Sequence, residues 1–343
     1  MFQYILRRIL IMIPTLLGVT VITFAIINLA PGSPIEQKIQ QLKFGGMGES
    51  AGGDASSSKD SAVSSEVIEA LKKQYGFDQP VHMRYWIWLK NLSKLDFGES
   101  FTYEEPVLGL IISKFPVSLQ FGIISLFLSY LVCIVLGVAK AVNNGTTFDH
   151  VSSFLIFAMY SIPGFMLAIL LLVFFAGGGF FDWFPLGELY SDGYDELGTW
   201  DKIVDRVHHF ILPLICYMIG SFTVLTMLMK NSLLEEIKKD YIRTARAKGL
   251  SEKMVYLKHG LRNALIPIVT GIGGFLTIFF AGSILLETIF QLDGMGLLSY
   301  QAVLERDYNV IMGLIFIQSA LMLIGNLISD IAYVVVDPRI DFS

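Results

Sequence analysis

Six long apolar runs constrain this chain more than any other feature in it. They cover residues 9–30, 117–139, 151–176, 210–229, 265–287 and 310–336. Each is about 20 residues or longer, enough at about 1.5 Å per residue to cross a hydrocarbon layer of about 30 Å. Water is missing from that layer, so backbone N–H and C=O groups must bond within their own segment, which makes each run a helix. The fold expected is an all-α polytopic membrane protein of six transmembrane helices, with both ends on one side and the lipid bilayer as its solvent. Charged residues make up only 16% of the 343, where soluble domains carry about 25%. Cys133 and Cys216 each fall inside an apolar run and read as small buried hydrophobes, not as a disulfide or a metal pair.

The runs divide the chain into three parts. Residues 1–30 hold the N-terminus and first helix. A signal peptide would also begin with Arg7-Arg8 and an apolar stretch, but this stretch exceeds the usual h-region of about 7–15 residues, so a retained span is expected. Residues 31–116 form a hydrophilic insert. Within it, 45–65 is Gly- and Ser-rich and reads as a flexible linker, and a short helix follows over 66–75. Pro80 then introduces a helix over 81–93 whose Tyr85, Trp86 and Trp88 suit either the headgroup level of a membrane or a small packed core. Residues 117–343 carry the other five helices. Pro163-Gly164 predicts a kink within the third, and the fourth starts close to Pro213.

Charge assigns the sides. The 177–209 loop has seven acidic residues, and the 230–264 loop has nine basic ones. Positive charge marks the cytoplasmic face. Both termini and the 230–264 loop are therefore expected inside, and the 31–116 insert, the acidic loop and the 288–309 loop outside. The net charge of −5 says little about partners when charge is split this way, and no nucleic acid is expected.

The 230–264 loop has architecture of its own. Residues 241–248 favour helix, and Gly249 suits the position just past a helix end. Ser251 is placed to cap a second helix with Glu252 in its first turn. Leu250, Met254, Leu257 and Leu261 recur at helical spacing and define one apolar face. Lys258, His259 and Arg262 gather at its C-terminal end, where positive charge is favoured. Orienting charge alone would explain the sign of the loop. The glycine break and the apolar stripe point further, to a docking element for a soluble partner in preference to a helix lying on lipid.

Catalytic signatures are sparse. The sequence has neither a Gly-x-x-x-x-Gly-Lys-Ser/Thr run nor a His-Glu-x-x-His run, and its five histidines lie in loops or at span edges. Glu287 and Asp330 read as edge residues, leaving mainly hydroxyls and amides in the span interiors. Most of those should bond to backbone, with Thr223, Thr277, Gln318 and Asn326 as candidates to line a pathway. Span five is rich in small residues (Gly271, Gly273, Gly274, Ala281, Gly282, Ser283), which fits either internal packing or contact with a second subunit. Six spans, a docking loop and no energy source suggest one subunit of a pore powered by a partner. A secondary carrier or channel is the alternative, and an intramembrane hydrolase ranks third.

Tyr241-Ile242-Arg243-Thr244-Ala245-Arg246-Ala247-Lys248-Gly249-Leu250, continuing to Arg262-Asn263-Ala264 and Pro267, resembles the coupling-loop motif of ABC importer permeases in the oligopeptide/dipeptide branch. The family's usual motif glutamate is replaced here, where Arg243-Thr244-Ala245 precede Gly249. Leu6-Arg7-Arg8, Ala30-Pro31-Gly32, Tyr75-Gly76-Phe77-Asp78, Asp96-Phe97-Gly98-Glu99-Ser100, Glu287-Thr288-Ile289-Phe290 and Asp337-Pro338-Arg339 match further stations of that family. The resemblance implies a type I permease fold with a periplasmic insert after the first span, in the bacterial inner membrane. It implies a heterodimer with a second homologous permease, a cytoplasmic ABC ATPase that uses ATP and Mg, and a periplasmic peptide-binding protein. The chain itself would be no enzyme and hold no cofactor. Its cargo would be oligopeptides, with peptide–nucleotide antibiotics such as microcin C among the candidates. ATPase coupling would fall on the 240–262 loop, to Tyr241, Ala245, Ala247, Gly249, Leu250, Ser251, Met254, Leu257 and Lys258.

Overall fold

The computed structural model describes residues 2–32, 34, 36, 69, 73, 76–270 and 282–336. Among these the regular elements are helical, in the order α1 (Phe2–Leu29), α2 (Val81–Leu92), α3 (Val107–Val142), α4 (Thr147–Tyr160), α5 (Gly164–Phe175), α6 (Thr199–Glu236) and α7 (Asp240–Ala247). Then come α8 (Glu252–Met254), a π-helical stretch Val255–Gly260, α9 (Leu261–Ala264), α10 (Ile266–Thr270), α11 (Ile284–Ile289), α12 (Met295–Leu304) and α13 (Tyr308–Val336). The fold is all-α, as the apolar runs require.

Four helices among the described residues, α1, α3, α6 and α13, are long and apolar enough to cross a membrane. The third run is a pair, α4 and α5, bent by 96°. The kink expected at Pro163-Gly164 is thus a full break. Pro163 has no N–H to donate and takes an extended ψ of 135°, so the ladder cannot continue through it and α5 starts afresh behind it. The fifth run is represented by α10 and α11, because residues 271–281, with Gly271, Gly273, Gly274, Thr277 and Ala281, lie outside the described residues. The 45–65 linker, most of the 66–75 helix and the Asp337-Pro338-Arg339 ending lie outside them too. Helices α3 and α6 begin earlier than their apolar runs, at Val107 and Thr199, and carry Pro116 and Pro213 inside them.

The chain divides into two compact units. One comprises Met1–Arg8, Lys114–Leu297 and Leu321–Ser343; the other comprises Ile9–Ser113 and Leu298–Ala320. In the second unit, Asp307 caps α13 by accepting from Val310 N at 3.2 Å, and it takes the Ser100 hydroxyl at 2.5 Å. Helix α2 packs only part of its aromatic set. Trp88 is buried and Tyr85 bonds Thr20 at 3.0 Å, whereas Trp86 is exposed.

In the first unit an apolar cluster joins Phe121, Ala168, Phe210, Cys216, Leu286, Phe290 and Leu292. Phe121 stacks on Phe210 with centroids 4.4 Å apart. Next to it lies a correction to the sequence reading: Glu287 is no edge residue but completely buried. Its carboxylate accepts from Ser118 Oγ at 2.8 Å, Leu297 N at 2.9 Å and Ser283 N at 3.2 Å. Ser118 Oγ in turn accepts from Met295 N at 2.8 Å. The 291–296 turn therefore wraps around a carboxylate. A Cβ on Gly294 would sit 2.7 Å from Glu287 Cδ, so that glycine is required by close approach. Asp330 stays at a rim, paired with Arg8 at 3.0 Å and with the Tyr4 hydroxyl at 3.0 Å.

Glu287→Ala would strand several buried donors, at about 1–3 kcal/mol for each group left without a partner. The expected outcome is a lower unfolding midpoint of the detergent-solubilised protein, while Asp330→Asn at the rim should shift it little. Thermal unfolding followed by tryptophan fluorescence checks both.

Candidate functional site

The loop after α6 is a compact structure in its own right. Helix α7 buries Ile242 and Ala245 against Val255, with Leu250 packed beside them. Full burial of an aliphatic side chain such as Ile242 or Val255 is worth about 2 kcal/mol. Gly249 closes α7 in a left-handed conformation, φ 76°. Its N–H donates to Arg246 O at 2.9 Å, and Leu250 N donates to Ala245 O at 3.4 Å. These two bonds form a Schellman closure, which reverses the chain and sends Leu250 back under α7. Ser251 takes the N-cap place of α8 with extended backbone but makes no side-chain cap bond.

Polar ties brace the loop. Tyr241 donates to Glu236 Oε2 at 2.5 Å and accepts from Asn263 Nδ2 at 3.1 Å, which joins the end of α6 to α9. Burial, and then the Glu236 bond, push the Tyr241 phenol above its ordinary pKa. Arg246 forks onto Glu252 at 2.8 and 3.1 Å, bridging α7 and α8 across the glycine. That hydrogen-bonded guanidinium holds the Glu252 carboxyl below the usual carboxylate range. Below the loop, Ala264 and Ile268 bury against Ala141, Met229 and Leu233, with Leu261 packed on them.

The predicted apolar stripe is not one face. Leu250 and Leu261 turn inward, while Met254 and Leu257 are 43% and 46% exposed. Leu250 precedes the Ser251 N-cap, and past Met254 the π-helical stretch Val255–Gly260 widens the turn, with Val255 and Gly260 buried. Sequence spacing at 3.6 residues per turn cannot anticipate that change of period. Of the residues singled out in this loop, Ala245 is buried and Leu250 half-buried, so both serve as anchors. Tyr241, Ala247, Gly249, Ser251, Met254, Leu257 and Lys258 lie on the outside. The result is a braced loop that presents two bulky apolar side chains beside Lys258.

Of the pathway candidates, Thr223, Gln318 and Asn326 lie among the described residues. Thr223 is buried and bonds Ile156 O at 3.1 Å, so its hydroxyl ties α6 to α4. Gln318 and Asn326 are half-buried on α13 but belong to different units, and Thr277 is outside the described residues. One polar site went unnoticed in the sequence: Lys140, Asp149 and Lys230 form a buried cluster. Its signal was one charge at the end of each of three successive apolar runs.

An all-helical chain with a broken third span and a braced basic loop has the organisation of a transport permease, and comparison with known proteins agrees. Residues 133–342 match the family described as binding-protein-dependent transport system inner membrane component, and the chain belongs to that family. Full-length relatives narrow the likeness. The chain is 46% identical to the peptidoglycan transport system permease protein YejB of Agrobacterium fabrum, with 100% of this chain and 99% of that protein covered. It is 44% identical to the inner membrane ABC transporter permease protein YejB of Escherichia coli O157:H7, again over 100% and 99%. The oligopeptide transport system permease protein AppB of Bacillus subtilis is 35% identical over the whole of both chains.

Gly249→Val would force a β-branched residue into the left-handed region, at a cost of about 1–3 kcal/mol. The expected outcome is faster tryptic cleavage at Arg246, Lys248 and Lys253, with Gly249→Asn, which tolerates that conformation, close to the parent. Limited proteolysis followed by mass spectrometry reads it.

Proposed function

We propose that this chain is the permease subunit of an ATP-driven importer that moves oligopeptides across the inner membrane, coupled to a cytoplasmic ATPase through the 240–262 loop. The observation that carries the reading is the exposure of Met254 and Leu257 on a loop that buries Ile242, Ala245 and Val255. A helix presenting two uncovered apolar side chains on a rigid base suits insertion into a groove of another protein. The basic loop and both termini would face the cytoplasm, by the charge rule, and residues 31–116 would form a periplasmic insert. A second homologous permease would complete the pore, a periplasmic binding protein would deliver peptide, and ATP with Mg would be bound by the ATPase alone. Closure of the ATPase would push the docked segment and shift the helices between outward- and inward-open arrangements.

Cargo is inferred from chemistry shared by the relatives' names. One is named for oligopeptides and one for peptidoglycan, so free oligopeptides lead. Peptide-bearing wall fragments and peptide–nucleotide antibiotics such as microcin C are further candidates.

Met254→Asp combined with Leu257→Asp should leave membrane insertion intact and cut peptide uptake by about tenfold or more, a coupling energy in the usual range. Uptake of labelled alanine oligopeptides by the reconstituted complex, measured beside its ATP hydrolysis, tests this. Uptake at the parent rate would remove the docking assignment. Peptide flux through the purified chain alone, without an ATPase, would favour the carrier or channel reading instead.

A further inference from the structure

The buried cluster near the start of the loop has no part in docking, yet it joins three helices. Lys140 is 0% exposed, Asp149 3% and Lys230 9%. Lys230 Nζ on α6 contacts both Asp149 oxygens, at 2.8 and 2.7 Å. Lys140 Nζ on α3 lies 3.1 Å from Asp149 Oδ1 and donates to Asp149 O, Ser152 Oγ and Ser153 Oγ at 3.0, 2.8 and 2.7 Å. Gly145 N, in the turn before α4, donates to Asp149 Oδ2 at 3.1 Å. One carboxylate at the start of α4 thus holds the ends of α3 and α6 and its own preceding turn.

Energy alone does not explain such a cluster. Burying two ammoniums and a carboxylate carries a large desolvation cost, and apolar residues of similar volume are often as stable or more so. What the ions supply is fixed geometry: a carboxylate gripped at both oxygens resists the sliding that apolar contacts allow. The position is telling as well. Lys140 precedes Ala141, and Lys230 follows Met229; both neighbours belong to the apolar cluster on which Ala264, Ile268 and Leu261 rest. Contacts therefore run without a gap from the segment after Gly249, through Leu261 and Ala264, to Met229 and Ala141, then to the lysines, Asp149, α4 and its 96° break.

We infer that Asp149 is a positioning residue for energy coupling: clamped by Lys140 and Lys230, it makes α4 travel with α3 and α6 when the docked loop is pushed. Asp149 can act so only if the docking reading above holds. A purely stabilising brace would be replaceable by apolar packing; a transmitting clamp is not.

The test uses the complete transporter, with partner permease, ATPase and binding protein, reconstituted in liposomes. ATP hydrolysis and uptake of labelled alanine oligopeptides are measured together. The triple variant Lys140→Met, Asp149→Leu and Lys230→Met removes every charge of the cluster while keeping its bulk. Expected is a complex as heat-stable as the parent whose peptide moved per ATP falls about tenfold. A parental ratio in this variant overturns the inference. Should the triple variant not assemble, Asp149→Glu carries the test, since it keeps the charge and adds one methylene. It is expected to assemble with a lowered ratio, and an unchanged ratio overturns the inference equally. The Met254→Asp, Leu257→Asp complex runs alongside. If it transports normally, the docking reading fails and the role of Asp149 with it. If it is uncoupled while the triple variant is not, only the role of Asp149 fails.

Discussion

Backbone hydrogen bonding without water is the constraint on which everything else in this protein depends. Inside hydrocarbon each peptide group must find a partner in its own segment, and for a chain of apolar runs that means helix. Departures are then confined to places where another group meets the need. At Pro163 the ladder stops, and Met166 and Leu167 donate back to the Pro163 carbonyl as α5 restarts. At Glu287 a carboxylate gathers the N–H groups of Ser283 and Leu297, which a turn between helices would otherwise leave bare. At Gly249 the helix end is closed by backbone alone.

The same economy shapes the charged rim. Where helices leave the apolar zone, ions take over the work of holding them in register. Arg8 meets Asp330, and Lys140 and Lys230 meet Asp149. None of these pairs needs to add much net stability to matter. Their directionality fixes how neighbouring helices are set, which apolar surfaces with many near-equal packings do poorly.

Much of this was legible in the sequence, because apolar length and proline chemistry act locally. The runs at 9–30, 117–139, 210–229 and 310–336 correspond to long helices, the Pro163 interruption is where it was expected, and Gly249 ends its helix in the left-handed form. The peptide-permease likeness was equally readable, and the family and relatives agree with it. What escaped depends on distance in sequence or on a changed period. Glu287 looked like a boundary residue because its partner Ser118 is 169 positions away. Asp149 drew no notice because its partner Lys230 is 81 positions away. The apolar stripe of the loop is interrupted by a helix start after Leu250 and by a π stretch after Met254, and no 3.6-residue pattern encodes where a helix will widen.

The bracing of the loop has a thermodynamic consequence for assembly. Ile242, Ala245 and Val255 are already packed, and Tyr241 and Arg246 already tied, in the chain by itself. A partner docked on Met254 and Leu257, as proposed, would therefore meet a preorganised surface, with the entropy of ordering those turns already lost when the subunit folds. Association of a partner on such a surface, if it docks as proposed, would be rigid-body and not coupled to folding.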